Sequence, residues 1–226
     1  MDSLSADDLY AEAVDVPWSR PLMQGDVFRD VVLPGMGDEP RLVQVVMHPC
    51  VMRTGRGVLL ERLTVAPVEP SGQRVNDAMW ERHLRIMPLP NLLDDGDDYA
   101  AKFVEVTAAP SAESSLNRRI AALSDLGILV LQQRLIVHST RYAEVDLETL
   151  RKVSASVLAE SELQTDWVEA ALDRDGQTAE VVARATSDFQ TWLDVGEPSA
   201  RTRLKSETNH SALRRETRAE IRRRYR

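Results

Sequence analysis

The stretch Gln24–Pro70, QGDVFRDVVLPGMGDEPRLVQVVMHPCVMRTGRGVLLERLTVAPVEP, decides the fold, because three apolar, β-branched runs are separated in it by segments rich in Gly and Pro. Val31-Val32-Leu33, Leu42 to Met47, and Val58-Leu59-Leu60 continuing to Leu63-Thr64-Val65 read as strands. Pro34-Gly35, Asp38-Glu39-Pro40 and Thr54-Gly55-Arg56-Gly57 read as the turns between them. The expectation is an α+β protein: a small β-barrel core with appended C-terminal helices, divided as a barrel domain with an N-terminal helix over 1–145, a helical extension over 146–198 and a basic tail over 199–226.

Upstream, Ser5 caps a short helix carrying Leu4, Leu9 and Ala13, and Trp18, Pro21 and Leu22 are expected to plug the barrel. Downstream, Val75, Met79, His83 and Ile86 share a helical face, and Asp94 to Asp98 reads as a hydrated acidic loop. Ala101 to Thr107 alternates as a strand. The run Ile128–His138 fits both a strand and a helix face, and strand is preferred. Asp146 caps a helix with Leu147, Leu150, Val153 and Val157 inward. A further helix over 178–193 buries Val181, Val182, Ala185, Phe189 and Trp192.

Composition narrows the function classes. The single cysteine, Cys50, excludes an internal disulfide and a multi-cysteine metal cage. No apolar run reaches the roughly 18 residues of a membrane span, which with an acidic N-terminus leads to the expectation of a cytoplasmic protein without membrane contact. The net charge of −8 opposes nonspecific phosphate binding. Ten basic residues against three acidic ones give residues 199–226 about +7 and leave about −15 for the rest. Arg214, Arg218 and Arg222, spaced by four, would form the binding stripe of a helical tail, for which an acidic protein surface is the expected partner: its own body, a second subunit or another protein. RNA is the competing partner.

Two clusters have chemical character. His48 and Cys50, two apart on an extended segment, suggest a thiol or metal site, against which stands the blander expectation of a buried, inert cysteine beside a hydrogen-bonded histidine. Arg134, His138 and Arg141 are expected to be solvated charges. The acidic loop lacks the alternating ligands of a calcium site, and no metal or cofactor is expected.

Gly25-Asp26-Val27-Phe28, Val31 to Gly35, the strand Arg41 to Val46 and Leu63 to Val68 resemble, in order and spacing, the successive barrel motifs of the MazF/PemK-type toxin family. Gln133, Thr140-Arg141 and the helix with Leu147 and Leu150 are similar to its later strand and helix. The resemblance covers roughly residues 24–70 and 128–155 and implies an SH3-like barrel, often dimeric, in which an arginine and a hydroxyl residue cleave single-stranded RNA. Here the family's Arg-Pro is reversed as Pro40-Arg41, and Glu69 stands where the hydroxyl is expected. Cleavage needs a base for the 2′-hydroxyl and a cation for the phosphorane. Arg41, Arg53 and Glu69 are therefore the candidate catalytic residues. The leading expectation is a toxin-like binding or accessory module of a bacterial defence or addiction system, without the usual ribonuclease site. The alternatives are an active endoribonuclease and an assembly protein that uses its C-terminal helices as an interface.

Overall fold

The computed structural model describes residues 5–13, 16–54, 58–93, 95–113, 116–140 and 146–225. The chain forms two compact units: residues 1–16, 23–52 and 59–151 make one, and 17–22, 53–58 and 152–226 the other. Leu4, Gly55-Arg56-Gly57, Asp94 and Arg141, all singled out in the sequence, lie outside the described residues.

The first unit is α+β. In chain order it holds α1 (Ala6–Leu9), β1 (Tyr10–Ala13), β2 (Val27–Val31), β3 (Arg41–Val45), β4 (Arg62–Pro70), α2 (Asp77–Arg82), β5 (Ile86–Leu89), β6 (Tyr99–Lys102), β7 (Thr107–Pro110), β8 (Arg119–Leu123) and α3 (Asp125–Thr140). The eight strands pair antiparallel in the order β1-β8-β2-β3-β4-β6-β5, with β7 also on β4, and the sheet does not close into a barrel. Val27, Phe28, Val31, Val43, Val45, Leu63 and Val65 are all buried to within 1% of complete.

Long β4 is the spine. Its first half, Arg62 to Val65, pairs with β7, and its end, Val68 to Pro70, pairs with β6. The Thr64 carbonyl accepts from Val46 N and Met47 N on the β3 side, so by alternation the backbone of Pro67 faces the other edge, where the pairing of β7 stops at Val65 and that of β6 starts at Val68. Pro67 has no N–H to offer, and it sits where no ladder bond is required.

That gap corrects the strand expected over Ala101–Thr107. The chain turns at Phe103–Glu105 in a 3-10 turn while stepping from one half of β4 to the other, and its valines are turned outward, with Val104 60% exposed. Val58 to Leu60 is not a strand of the sheet either: the Val58 carbonyl accepts from Thr54 N and Leu60 N donates to the Met52 carbonyl, both at 2.8 Å, an isolated pairing before β4 begins at Arg62. Of the expected Val31-Val32-Leu33 only Val31 belongs to β2. The N-terminal helix is limited to Ala6–Leu9: Ser5 Oγ accepts from Asp8 N at 3.2 Å as expected, but the chain then pairs with β8 as β1. Asn76 caps α2, which stops at Arg82 and leaves Ile86 to open β5.

The preferred strand over Ile128–His138 is helix α3. Ser124 Oγ accepts from Gly127 N at 3.0 Å as its cap, and Asp125 occupies the favourable first turn. Gly127, Ile128, Leu129, Val130, Leu131, Gln132 and Arg134 are all buried, so the apolar pattern here follows enclosure and carries no reliable period. A Cβ on Gly127 would lie 2.4 Å from the Leu9 carbonyl oxygen, which makes glycine the residue that lets α3 approach the end of α1.

The second unit is helical, with α4 (Leu147–Asp175, in this unit from Lys152), α5 (Ala179–Leu193), α6 (Ala200–Leu204) and α7 (His210–Arg224). Asp146 Oδ1 accepts from Glu148 N at 3.0 Å, and Thr178 caps α5. The inward face of α4 is carried by Ala159, Leu163, Trp167, Val168, Ala171 and Leu172, whereas Val153, expected inside, is 68% exposed. Trp167 lies 5.6 Å, centroid to centroid, from both Phe189 and Trp192, and 6.2 Å from Tyr225. Trp18, expected as a plug on the sheet domain, packs instead against this aromatic core, because residues 17–22 belong to the helical unit.

Candidate functional site

The register β3–β4 pairs Leu42 with Val68, which sets Arg41 opposite Glu69. Arg41 Nη1 lies 3.7 Å from Glu69 Oε1, and Lys102 at the end of β6 brings its Nζ to 3.9 Å from Oε2. One carboxylate thus sits between two cations on neighbouring strands. All three side chains are part-exposed, so the row is worth at most about 1 kcal/mol, and its interest is chemical. A phosphate approaching Arg41 meets a cation whose counter-charge is already in place. Arg41 Nη2 also donates to the Met36 carbonyl at 3.3 Å, tying it to the β2–β3 connection, beside which Val32, Leu33, Pro34, Gly37, Asp38 and Pro110 line an open groove of about 510 Å³.

Of the three candidate catalytic residues, Arg41 and Glu69 meet. Arg53 belongs to the helical unit and donates to the Leu22 carbonyl at 3.0 Å. Lys102, the third member of the row, was not singled out from the sequence; nothing local marks it, since its place depends on the pairing of β6 with β4.

Arg134 overturns the expectation of a solvated charge. It is 2% exposed and donates to the carbonyls of Ile86 (2.9 Å), Trp80 (2.7 Å), Met79 (3.2 Å) and His83 (2.6 Å), while its guanidinium lies 5.6 Å from the Trp80 ring. Burial lowers its pKa to about 10, so it remains a cation at neutral pH, and it satisfies the carbonyl end of α2. His138, on the same helix, packs its ring 5.7 Å from Phe103. A second buried cation, Arg119, donates to Asp26 Oδ2 at 3.0 Å, both side chains being fully buried, and the same oxygen accepts from Met23 N. These arginines organise the fold and present nothing to a substrate.

The acidic loop is likewise more structural than expected. Asp98 is 6% exposed; burial pushes its pKa up, but the N–H groups of Asn91 (2.9 Å) and Val75 (2.7 Å), with Arg74, hold it below the ordinary carboxylate range. Among the described residues no group of three or more His, Cys, Asp or Glu side chains is placed to hold a metal ion, and no helix is long and apolar enough to cross a membrane. Cys50, expected to be buried, is exposed on a 3-10 turn formed by Pro49–Val51, because the chain leaves β3 at Val45 and the Pro49 ring turns it outward.

The basic tail forms α6 and α7. Arg214 Nη2 reaches Glu162 at 2.5 Å and Arg218 Nε lies 3.9 Å from Asp166, both carboxylates being on α4, while Arg203 holds Glu216 between α6 and α7 with bonds of 2.7 and 2.8 Å. Two of the three expected stripe residues therefore face carboxylates of their own chain. Arg222 is exposed on the following turn. No family model matches this chain, and no curated protein is significantly similar to it in sequence.

Proposed function

We propose that the sheet unit is a toxin-like scaffold, related to the SH3-like barrel that the resemblance implies, which serves as a binding or accessory module of a defence or addiction system and does not cleave RNA. The observation that carries this reading is the row Arg41–Glu69–Lys102. The only cation of the candidate pair on this sheet is matched to a carboxylate at 3.7 Å, and that carboxylate is already engaged by a second cation, Lys102 Nζ, at 3.9 Å. Supporting the scaffold, the motifs at 25–28, 41–46 and 63–68 fall in chain order on or beside β2, β3 and β4. The acidic chain, with net charge −8, and the tail arginines engaged on α4 favour a protein partner over RNA.

The test is incubation of the purified chain with a mixed pool of single-stranded RNA, read by gel and by end mapping. The expected result is an intact pool. Cleavage that disappears in Arg41→Ala and is absent from a mock preparation would replace this reading with the endoribonuclease.

A further inference from the structure

The turn that follows β3 holds a nucleophile and a base in contact. His48 is extended (φ −68°, ψ 138°) and caps the 3-10 turn Pro49–Val51, its Nδ1 accepting the Cys50 N–H at 3.3 Å. A ring nitrogen that accepts a backbone N–H presents its lone pair, so the ring proton is on Nε2. Cys50 Sγ lies 2.8 Å from that same Nδ1. The imidazole is half-buried, and this desolvation holds its pKa below the ordinary value, which keeps the ring neutral at neutral pH and makes it a weaker base than a solvated imidazole, so its role rests on the contact with Sγ. The sulfur side is open, with Cys50 exposed and its neighbour Val51 51% exposed.

The geometry is fixed by the backbone. Val51 N donates to the His48 carbonyl at 3.0 Å and Met52 N to the Pro49 carbonyl at 3.3 Å, while the Met52 side chain is completely buried and anchors the end of the turn. Nucleophile and base within hydrogen-bond reach, on a pinned turn and open to solvent, are the elements of an activated thiol.

We propose that Cys50 is a modification site that forms a mixed disulfide with low-molecular-weight disulfides, with His48 as its base. Nδ1 takes the Sγ proton, and the thiolate attacks one sulfur of the small disulfide. The Sγ–S bond forms as the original S–S bond breaks, and the departing thiolate takes the proton back from Nδ1. Cysteine is oxidised to the mixed disulfide, and one half of the small molecule leaves reduced, as a thiol. Because the side chain points to solvent, the adduct is accommodated without opening the core.

The experiment uses the full chain and excess glutathione disulfide, followed by intact-mass spectrometry. One adduct is expected, forming at least about tenfold faster in the folded chain than in the same chain unfolded in urea. His48→Asn keeps an acceptor for the Cys50 N–H, and so keeps the turn, but removes the base; its adduct rate should fall to within about twofold of the unfolded chain, with the melting temperature unchanged. A folded wild-type rate no greater than the unfolded rate overturns the proposal, as does a folded His48→Asn chain that reacts as fast as wild type. The wild-type ratio decides the matter even where the variant fails to fold.

Discussion

The two units use arginine in opposite ways. In the sheet unit Arg119 and Arg134 are buried, one against the fully enclosed carboxylate of Asp26 and the other against four backbone carbonyls. In the helical unit Arg201, Arg203, Arg214 and Arg218 lie on the surface, paired across helices with Glu160, Glu216, Glu162 and Asp166, around a core that is aromatic and aliphatic. An ion pair that salt and water can reach contributes little. One sealed from water is costly to break, because its partner is left charged and desolvated.

Breaking one partner in each setting gives the widest contrast. Asp26→Ala should destabilise the sheet unit by about 3–5 kcal/mol, since it removes the carboxylate that the Arg119 guanidinium meets at 3.0 Å with both side chains at 0% exposure. The double change Asp26→Ala with Arg119→Leu should recover most of that loss. Trp167→Ala, which empties the centre of the other core, should cost a similar ~3–5 kcal/mol there. Hydrogen exchange resolved by segment measures both, and a loss of protection spread equally over both units for either change would mean that the units do not unfold separately.

A smaller effect is expected at the crowded contact between α1 and α3. Gly127→Ala should cost about 1–3 kcal/mol in urea denaturation, because the new methyl meets a backbone oxygen that cannot rotate away. An unchanged or raised midpoint would show that α1 yields. The surface pairs come last. Glu162→Gln should change stability by less than about 1 kcal/mol, and even that should vanish near 1 M salt, where the screening length is about 3 Å. A larger, salt-resistant loss would place this pair with the buried ones.

Acid distinguishes one surface carboxylate from its neighbours. Bonds from Arg223 first, opposed by partial burial, and then from Arg224 hold the Glu220 pKa down to about 2. A depressed carboxylate stabilises the fold fully above its unfolded value, near 4.5, and that contribution is lost as pH falls towards 2. Glu220→Gln should therefore flatten the acid limb of helical-unit stability between these values while lowering stability at pH 7. An acid limb identical to wild type would show that the bonds from Arg223 and Arg224 do not hold Glu220.

Legibility differed by scale. Helix caps were readable because they act locally: Ser5 and Asp146 sit where their own backbone bonds require them. The strands β3 and β4 were visible as apolar β-branched runs between turns, whereas β2 lies at Val27–Val31, upstream of the expected Val31–Leu33, and Val58–Leu60, with the same composition, makes only an isolated pairing with Met52–Thr54. The row at Glu69 was half legible, since Arg41 and Glu69 stood out as departures from a family pattern and Lys102 did not.

By itself the sequence determined the α+β class, the helices over 146–193 and the charge contrast between tail and body, all of which follow from composition and near-neighbour periodicity. Tertiary structure decided the rest. Whether Ile128–His138 became strand or helix depended on enclosure from every side, which erases periodicity. Whether Arg134 was solvated depended on four carbonyls between 48 and 55 residues away in sequence. The tail arginines found Glu162 and Asp166 only because α7 packs with α4 around Trp167. Charges carry no sequence mark of their partners; distance across the fold assigns them.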